Sequence, residues 1–364
     1  MNPLQLSHIN QDLGPILITG HTGFKGTWLT MLLEHCEVEV IGLSLPADPE
    51  SLFIRANRLG KIQEEFFDIR DDKKVQNFLK RIKPKVIIHL AAQSLVLESY
   101  KNPKITFDVN VGGLVNLLNG FGQIDSANVM LVSTTDKVYE NLGTGRSFTE
   151  SDSLRGKDPY SASKVAAENA IIAWRELLKN NKNKKILTAR AGNVIGGGDF
   201  SENRLLPDII RAFNSGSNLE VRNPLSTRPW QHVLDPLVGY LKMIDKSINS
   251  SKINTLNFGP NGKSLSVMEV VEIATKCWPS KSEVRYGNLN KYSESALLEL
   301  NSNLASHELD WKPMWSQKEA VIESIAWWKD VLGGHTTAQE RCNLDILKLL
   351  SNYNTKLSNY KNGI

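Results

Sequence analysis

Tyr160 and Lys164 stand four residues apart in Asp158-Pro159-Tyr160-Ser161-Ala162-Ser163-Lys164, at the opening of a segment with helical period. On a helix that spacing puts a phenol and an amine on one face, one turn apart. A neighbouring ammonium favours phenolate, as does the positive charge of an oxidised nicotinamide. The pair is therefore expected to draw a phenol of free pKa ~10 toward working pH, so that it takes a proton from a substrate hydroxyl as hydride leaves. Upstream, Ser133-Thr134-Thr135-Asp136-Lys137-Val138-Tyr139 follows an apolar run, and Thr135 can hydrogen-bond the same hydroxyl.

A hydride needs an acceptor. Thr19-Gly20-His21-Thr22-Gly23-Phe24-Lys25-Gly26 has glycines at GxxGxxG spacing between a first strand and a first helix. Gly20 permits a tight turn, Gly23 lets the backbone approach phosphates, and Gly26 lets the helix pack closely, while the helix N-terminus presents N–H donors to a pyrophosphate. The second strand ends in Ser44 where a ribose-binding acid would stand, and Arg55 lies too far on to hold a 2′-phosphate, which favours NAD over NADP. Asp68-Ile69, at the end of the third strand, is placed to flank an adenine, or Asp68 caps a turn. Farther along, Ala191-Gly192-Asn193-Val194-Ile195-Gly196-Gly197-Gly198-Asp199 offers backbone N–H groups and the Asn193 amide to a diphosphate, with a flexible loop as the competing reading. Arg204, Arg222 and Arg228 add three guanidinium forks suited to phosphates, and Trp230 and His232 are candidates to line the same cleft.

These groups require a scaffold. Strands are expected at Ile16–Thr19, Val38–Leu43, Glu65–Asp68, Val86–Leu90, Val129–Ser133 and Ile186–Ala191. Helices at Phe24–His35, Lys73–Lys83, Pro103–Phe121 and Pro159–Leu178 alternate with them. That succession predicts an α/β doubly wound parallel sheet of the Rossmann type over residues 1–191. Residues 192–333 read as a smaller substrate lobe with helices at Leu205–Ser215, Val233–Asp245, Ser266–Cys277 and Gln317–Asp330. Its one strand, Thr255–Phe258, is expected to be shared with the first domain. The polar, Asn/Lys-rich residues 334–364 read as a loosely docked tail.

Composition sets the limits. The chain has 364 residues, 41% hydrophobic and 23% charged, enough for a sizeable core. A net charge of +4, spread along the sequence, makes no case for nucleic acid or a membrane surface. The longest apolar run, Ala170 to Trp174, is far below the ~20 residues of a spanning helix. The start lacks the pattern of a secretory signal, and Cys36, Cys277 and Cys342 have neither CxxC nor metal-ligand spacing, so a reducing cytoplasm and no metal are expected.

Glycine turn, hydroxyl and Tyr/Lys pair, in this order, resemble the extended short-chain dehydrogenase/reductase family over residues 14 to 331. Within it, HTGFKGTW, HLAAQSLV, STTDKVYEN, DPYSASK, AGNVIGGGD and RPWQHVLDPL resemble the CDP-glucose branch of the nucleotide-sugar 4,6-dehydratases, which has Asp136-Lys137 where the dTDP-glucose branch has Asp-Glu. The resemblance implies oxidation at sugar carbon 4 by NAD with Tyr160, Lys164 and Thr135, loss of water across carbons 5 and 6 with Asp136 as acid, and return of hydride to carbon 6. Lys137 is then either the base at carbon 5, neutralised by burial, or an electrostatic stabiliser of the enolate. Also implied are cofactor contacts from Gly20, Thr22, Gly23, Phe24, Lys25, Gly26, Asp68, Ile69, Leu90, Ala91, Ala92, Tyr160 and Lys164. Gln93, Asn193, Arg204, Arg228 and His232 are implied for the nucleotide sugar. Glu294 is implied near the nucleoside, with Ser293 in place of the family's His. A homodimer through a four-helix bundle of Pro103–Phe121 and Pro159–Leu178 follows from the same likeness, as does a role in deoxysugar supply for surface polysaccharide. A sugar 4-epimerase, or a dehydratase for another nucleotide, shares this fold, and Asp136-Lys137 argues against the epimerase. Intact Tyr160, Lys164 and Thr135 argue against a non-catalytic NAD sensor.

Overall fold

The computed structural model describes residues 13–143, 145–249, 253–287 and 297–361. Short apolar runs form the strands β1 (Ile16–Thr19), β2 (Val40–Ser44), β4 (Val86–His89), β5 (Val129–Thr135) and β6 (Lys185–Ala191), while the polar β3 (Gln63–Phe66) takes the sheet edge. With Thr255–Phe258 they make a seven-stranded parallel sheet, in which that last strand lies outside β6, followed by β5, β4, β1, β2 and β3. β1 and β4 are wholly buried, as strands covered on both faces must be. Their side chains alternate between two cores: Ile16, Ile18 and Ile88 enter one, Leu17 and Ile87 the other. The chain builds outward from β1 through β2 and β3, then returns to lay β4 on the opposite side of β1. This order opens a crevice at the carboxyl ends of β1 and β4.

Most elements lie within two residues of their expected limits, and the helices Phe24–His35 (α1) and Leu205–Ser215 coincide with theirs. The helix Pro159–Leu177 begins with Pro at its first turn and a capping box, in which Asp158 accepts from the Ser161 N–H while the Ser161 hydroxyl accepts from the Asp158 N–H. That start fixes the rotation of the helix, so Tyr160, Lys164 and Glu168 share one buried face.

Two expectations are corrected. The segment Pro103–Phe121 is three pieces: Pro103–Phe107, a π-helical turn Asp108–Gly113, and Leu114–Gln123. The widened turn carries Asn110 inward, where its amide donates to Ser163 Oγ (2.9 Å) and to the Gln93 carbonyl (3.0 Å). The segment beyond Gly333 is the helix Ala338–Lys361, docked by Cys342, Ile346, Leu349 and Leu350, all buried. These four fall at helical spacing inside a polar composition that conceals them. Arg341, also buried, binds Asp330 (3.0 Å) across the same seam and Asp345 one turn along its own helix. Cys36 and Cys342 are buried thiols whose ionisation burial pushes upward, to about 12 for Cys36, and Cys277 is half-buried.

Ile346→Ala is therefore expected to cost about 2–5 kcal/mol, read from the urea midpoint. A loosely docked tail would give a change within about 0.5 kcal/mol.

Candidate active site

β5 delivers Thr135 to the carboxyl edge of the sheet, and a 3₁₀ turn, Asp136–Val138, follows at once. Thr135 caps that turn: its hydroxyl accepts from the Lys137 N–H (3.3 Å) and donates to Asp136 Oδ1 (3.1 Å). Asp136 is only 1% exposed and its Oδ2 has no hydrogen-bond partner. Burial raises its carboxyl above the ordinary range, against the pull of Lys137, the Thr135 bond and Arg228. A carboxyl so placed favours the protonated form, the state a proton donor requires.

Tyr160 faces this pair from its helix, also buried. The expected lowering of its phenol is not found. Burial pushes it up to about 12; the Thr135 hydroxyl and Arg204 oppose this, while Asp136 and Asp158 reinforce it. Lys164 is buried as well and falls to about 8, through burial and the neighbouring Lys25, with Glu168 opposing. Its ammonium lies 3.5 Å from the Ser133 carbonyl. Phenol and amine thus share a face without bonding each other, and a further positive charge is needed to bring Tyr160 to ionisation.

The glycine turn has the tight conformation expected at Gly20 and the close packing expected at Gly26. Gly20 has φ +77°, and a Cβ there would lie 2.7 Å from the Ala91 nitrogen; one on Gly26 would lie 2.1 Å from the Gly20 carbonyl oxygen. Gly23 is exposed and caps α1, whose first turn carries no acidic side chain. The N-terminal dipole is consequently uncancelled, and the cradle fits a pyrophosphate. Thr22 bonds Ser44 Oγ (2.7 Å), tying the turn to the end of β2. Lys25 reaches Tyr240 Oη (3.3 Å), which contacts Ser133 Oγ (3.1 Å), and half-buried Phe24 packs beside Gly196. Leu90, Ala91 and Ala92 follow β4, with the Leu90 N–H on the Thr19 carbonyl (3.0 Å). Asp68 is engaged by Arg70, which holds its carboxyl below the usual range, and Ile69 is buried against Gly113.

The substrate side needs larger corrections. Gly196, Gly197 and Gly198 are buried packing positions: a Cβ on Gly197 would lie 2.0 Å from the Trp327 ring, and one on Gly198 2.4 Å from Leu52. They are neither a flexible loop nor an open row of N–H groups. His232 is wholly buried beside Trp315 (ring centroids 4.2 Å), and burial lowers its imidazole to about 3. It belongs to the core, as does Trp230, whose indole donates to the Leu265 carbonyl (3.1 Å). The Gln93 side chain is engaged in bracing its own loop, donating to Thr106 Oγ1 (2.8 Å) and accepting from the Leu95 N–H (2.6 Å). Arg222 acts on Asp208, away from the catalytic pair. Glu294 lies outside the described residues.

Two arginines remain at the centre, since Arg204 acts on Tyr160 and Arg228 on Asp136. Arg204 is itself aimed by Asp199 Oδ2 and Ser94 Oγ, both at 3.0 Å. Asn193 is half-buried on the short strand Asn193–Ile195, paired with Trp230–His232. Sequence reasoning missed Ser94, Tyr240 and Glu168. For Glu168 a signal existed, since 160, 164 and 168 repeat at four residues; Ser94 and Tyr240 acquire their roles through partners more than 100 positions away.

The fold recurs in solved structures. A dTDP-glucose 4,6-dehydratase of Streptomyces venezuelae, solved with NAD bound, aligns with a TM-score of 0.75 at 22% identity, covering 88% of this chain and 98% of that one. A UDP-glucose 4-epimerase of Thermotoga maritima aligns with a TM-score of 0.76 at 18% identity, covering 87% and 99%. In sequence, the CDP-glucose 4,6-dehydratase of Salmonella typhimurium is 35% identical over 328 residues, 88% of this chain and 91% of that protein. The family model described as GDP-mannose 4,6 dehydratase matches residues 17–324, from the first strand through Arg204, Arg228 and the first half of the helix Gln317–Leu332. A match that runs through the catalytic edge and both cleft arginines is not that of a dinucleotide-binding half alone, and this chain belongs to the GDP-mannose 4,6 dehydratase family.

Proposed function

We propose that the chain is an NAD-dependent hydro-lyase converting CDP-glucose to its 4-keto-6-deoxy product, in deoxysugar supply for surface polysaccharide. The observation that carries this reading is Asp136, a desolvated carboxyl with one unpartnered oxygen, held beside Tyr160. An epimerase at carbon 4 expels no leaving group and has no use for a second acid there. The CDP moiety is supported by the Salmonella relative, 35% identical.

The turn Gly20–Gly26, with Thr22, Phe24 and Lys25, would hold the pyrophosphate of NAD, Asp68 and Ile69 its adenine end, and Leu90 to Ala92, Tyr160 and Lys164 its nicotinamide end. When bound, the dinucleotide supplies an acceptor for one hydride, later returned to the sugar, and a positive charge beside Tyr160. Arg228, Arg204 and Asn193 would grip the diphosphate, the two guanidinium groups bidentately.

With the sugar so held, Tyr160 takes the proton of the carbon 4 hydroxyl, which Thr135 orients. The resulting ketone acidifies carbon 5, whose proton passes to a base. Lys137, half-buried next to Asp136, is that base or stabilises the enolate. Asp136 protonates the carbon 6 hydroxyl, water leaves, and carbon 5 is later reprotonated.

The chain acts in the cytoplasm on this reading; among the described residues no helix is long and apolar enough to cross a membrane. It pairs with a second copy through Pro103–Gln123 and Pro159–Leu177. On these helices Ile105, Phe107, Ile172 and Leu177 are apolar side chains exposed by 46%, 38%, 55% and 71%, a density suited to a four-helix bundle.

Incubation with CDP-, dTDP-, UDP- and GDP-glucose and NAD in deuterated water tests the reaction. Mass spectrometry should find loss of one water from CDP-glucose alone, with one deuterium at carbon 5. Conversion without mass change would move the chain to the epimerases.

Asp136→Asn should lower kcat by about 10²–10⁴ while reduced cofactor accumulates, because oxidation continues and elimination stops. The same variant has a stability signature. Burial raises the native carboxyl, so stability present below the ordinary value of 3.8 is lost as pH rises through the native ionisation. Asp136→Asn abolishes that loss, and its Tm advantage over the parent should grow from acid to neutral pH.

A further inference from the structure

One hydrogen bond joins the sheet to the smaller lobe beside the catalytic edge. Ser94 stands in the loop after β4, and Arg204 is the N-cap residue of the helix Leu205–Ser215. They are 110 positions apart, and Arg204 Nη2 donates to Ser94 Oγ at 3.0 Å. The other terminal nitrogen, Nη1, donates to Asp199 Oδ2, also at 3.0 Å. Both arms of the guanidinium are thus held, one by the sheet's loop and one by the residues that follow the glycine run.

Each partner is itself fixed. Asp199 is buried, and its Oδ1 accepts from the Ser201 N–H (3.1 Å). Ser94 is exposed, yet the backbone on both sides of it is pinned. The Gln93 N–H donates to Asn110 Oδ1 (2.8 Å) and the Gln93 carbonyl accepts from the Asn110 amide (3.0 Å). The Gln93 side chain donates to Thr106 Oγ1 and accepts from the Leu95 N–H. The π-helical turn that carries Asn110 inward therefore also decides where the Ser94 hydroxyl stands. A solvent-exposed hydrogen bond adds little to stability, so bracing on this scale is out of proportion to a structural tie. What it does fix is the plane of the guanidinium. Of the five N–H donors, the two bonds among the described residues use one on each terminal nitrogen, and three serve a ligand. Such a fork grips a phosphate through two parallel N–H groups only when its plane is correctly turned.

We infer that Ser94 is a positioning residue for nucleotide-sugar binding: it touches no part of the ligand, and it raises affinity for the diphosphate by holding the Arg204 guanidinium in one orientation before the ligand arrives. Asp199 alone would leave the fork free to swing about the Nη1 bond. Ser94 supplies the second point of attachment, so the entropy of ordering a long side chain is lost on folding and not again on binding.

The inference rests on the proposed placing of a nucleoside diphosphate against Arg204. CDP, which carries the diphosphate without the sugar, tests it by titration calorimetry on the NAD-loaded chain. Ser94→Ala should weaken CDP about tenfold and raise the KM of CDP-glucose by the same factor, with kcat within about twofold of the parent. Ser94→Thr keeps the hydroxyl and should restore both. In an Arg204→Ala background, itself weaker for CDP than the parent, adding Ser94→Ala should change nothing further. An alanine variant with unchanged CDP affinity overturns the inference, even where the KM of CDP-glucose rises, since the hydroxyl would then touch the sugar directly. Equal losses in both backgrounds overturn it too, as does a threonine variant no better than alanine. Failure of the parent to bind CDP, or an Arg204→Ala variant that binds it as the parent does, overturns the diphosphate placing and the inference together. The expected CDP pattern without water loss from CDP-glucose overturns the dehydratase reading alone.

Discussion

Glu168 and Arg190 meet as a buried ion pair with bidentate geometry, side chains 4% and 6% exposed, and the catalytic edge depends on them. Glu168 also accepts from Thr134 Oγ1 (2.8 Å), which joins the helix Pro159–Leu177 to β5 one residue before Thr135. Arg190 donates to Tyr139 Oη (2.8 Å), and Tyr139 donates to Asn257 Oδ1 (2.6 Å) on the seventh strand. A single network thus fixes the helix bearing Tyr160 and Lys164, the strand bearing Thr135, and the turn bearing Asp136. Removing one partner of such a pair leaves an uncompensated buried charge, a loss of about 3–5 kcal/mol. The arrangement gives the site register rather than net stability, which an apolar pair of equal volume could supply as well.

Water exclusion, the condition that makes the network strong, also sets the chemistry. Burial is the largest influence on Asp136, Tyr160, Lys164 and His89, and in each it favours the neutral form: the acids rise, the ammonium falls to about 8 and the imidazole to about 3. Burial thus works against charge at each of these four groups. On the proposed reading the bound cofactor adds the positive charge that burial denies the phenol, so ionisation of Tyr160 is conditional on occupancy. The Tyr/Lys spacing alone leaves out burial, the largest influence on Tyr160 in the ligand-free chain.

The legible part of the chain was the part governed by local rules. The Pro159 start and the spacing of Tyr160 and Lys164 are decided within a few residues, and most of the strands by short apolar runs. What failed was set by distant partners. Nothing near Gly197 announces Trp327, nothing near His232 announces Trp315, and the Gln93 amide is engaged by Thr106. The break in Pro103–Phe121 follows from the same cause, since Asn110 turns inward to reach Gln93 and Ser163.

Those distant contacts explain why a polar tail belongs to an enzyme's architecture. The helix Ala338–Lys361 buries Cys342 against Trp327, and Trp327 fills the space that the missing side chain of Gly197 leaves. Trp28 closes the other side by donating to the Gly197 carbonyl (3.0 Å). Two residues on, Asp199 is buried and binds Arg204, which reaches Ser94 and acts on Tyr160. The glycine run is therefore a joint: its N-terminal end continues from β6, its centre is clamped by tryptophans that the tail supports, and its C-terminal end aims a cleft arginine. A bulky residue at 197 would displace Trp327 or shift the backbone that carries Asp199, so the demand for glycine there comes from aiming Arg204, not from exposing N–H groups to phosphate.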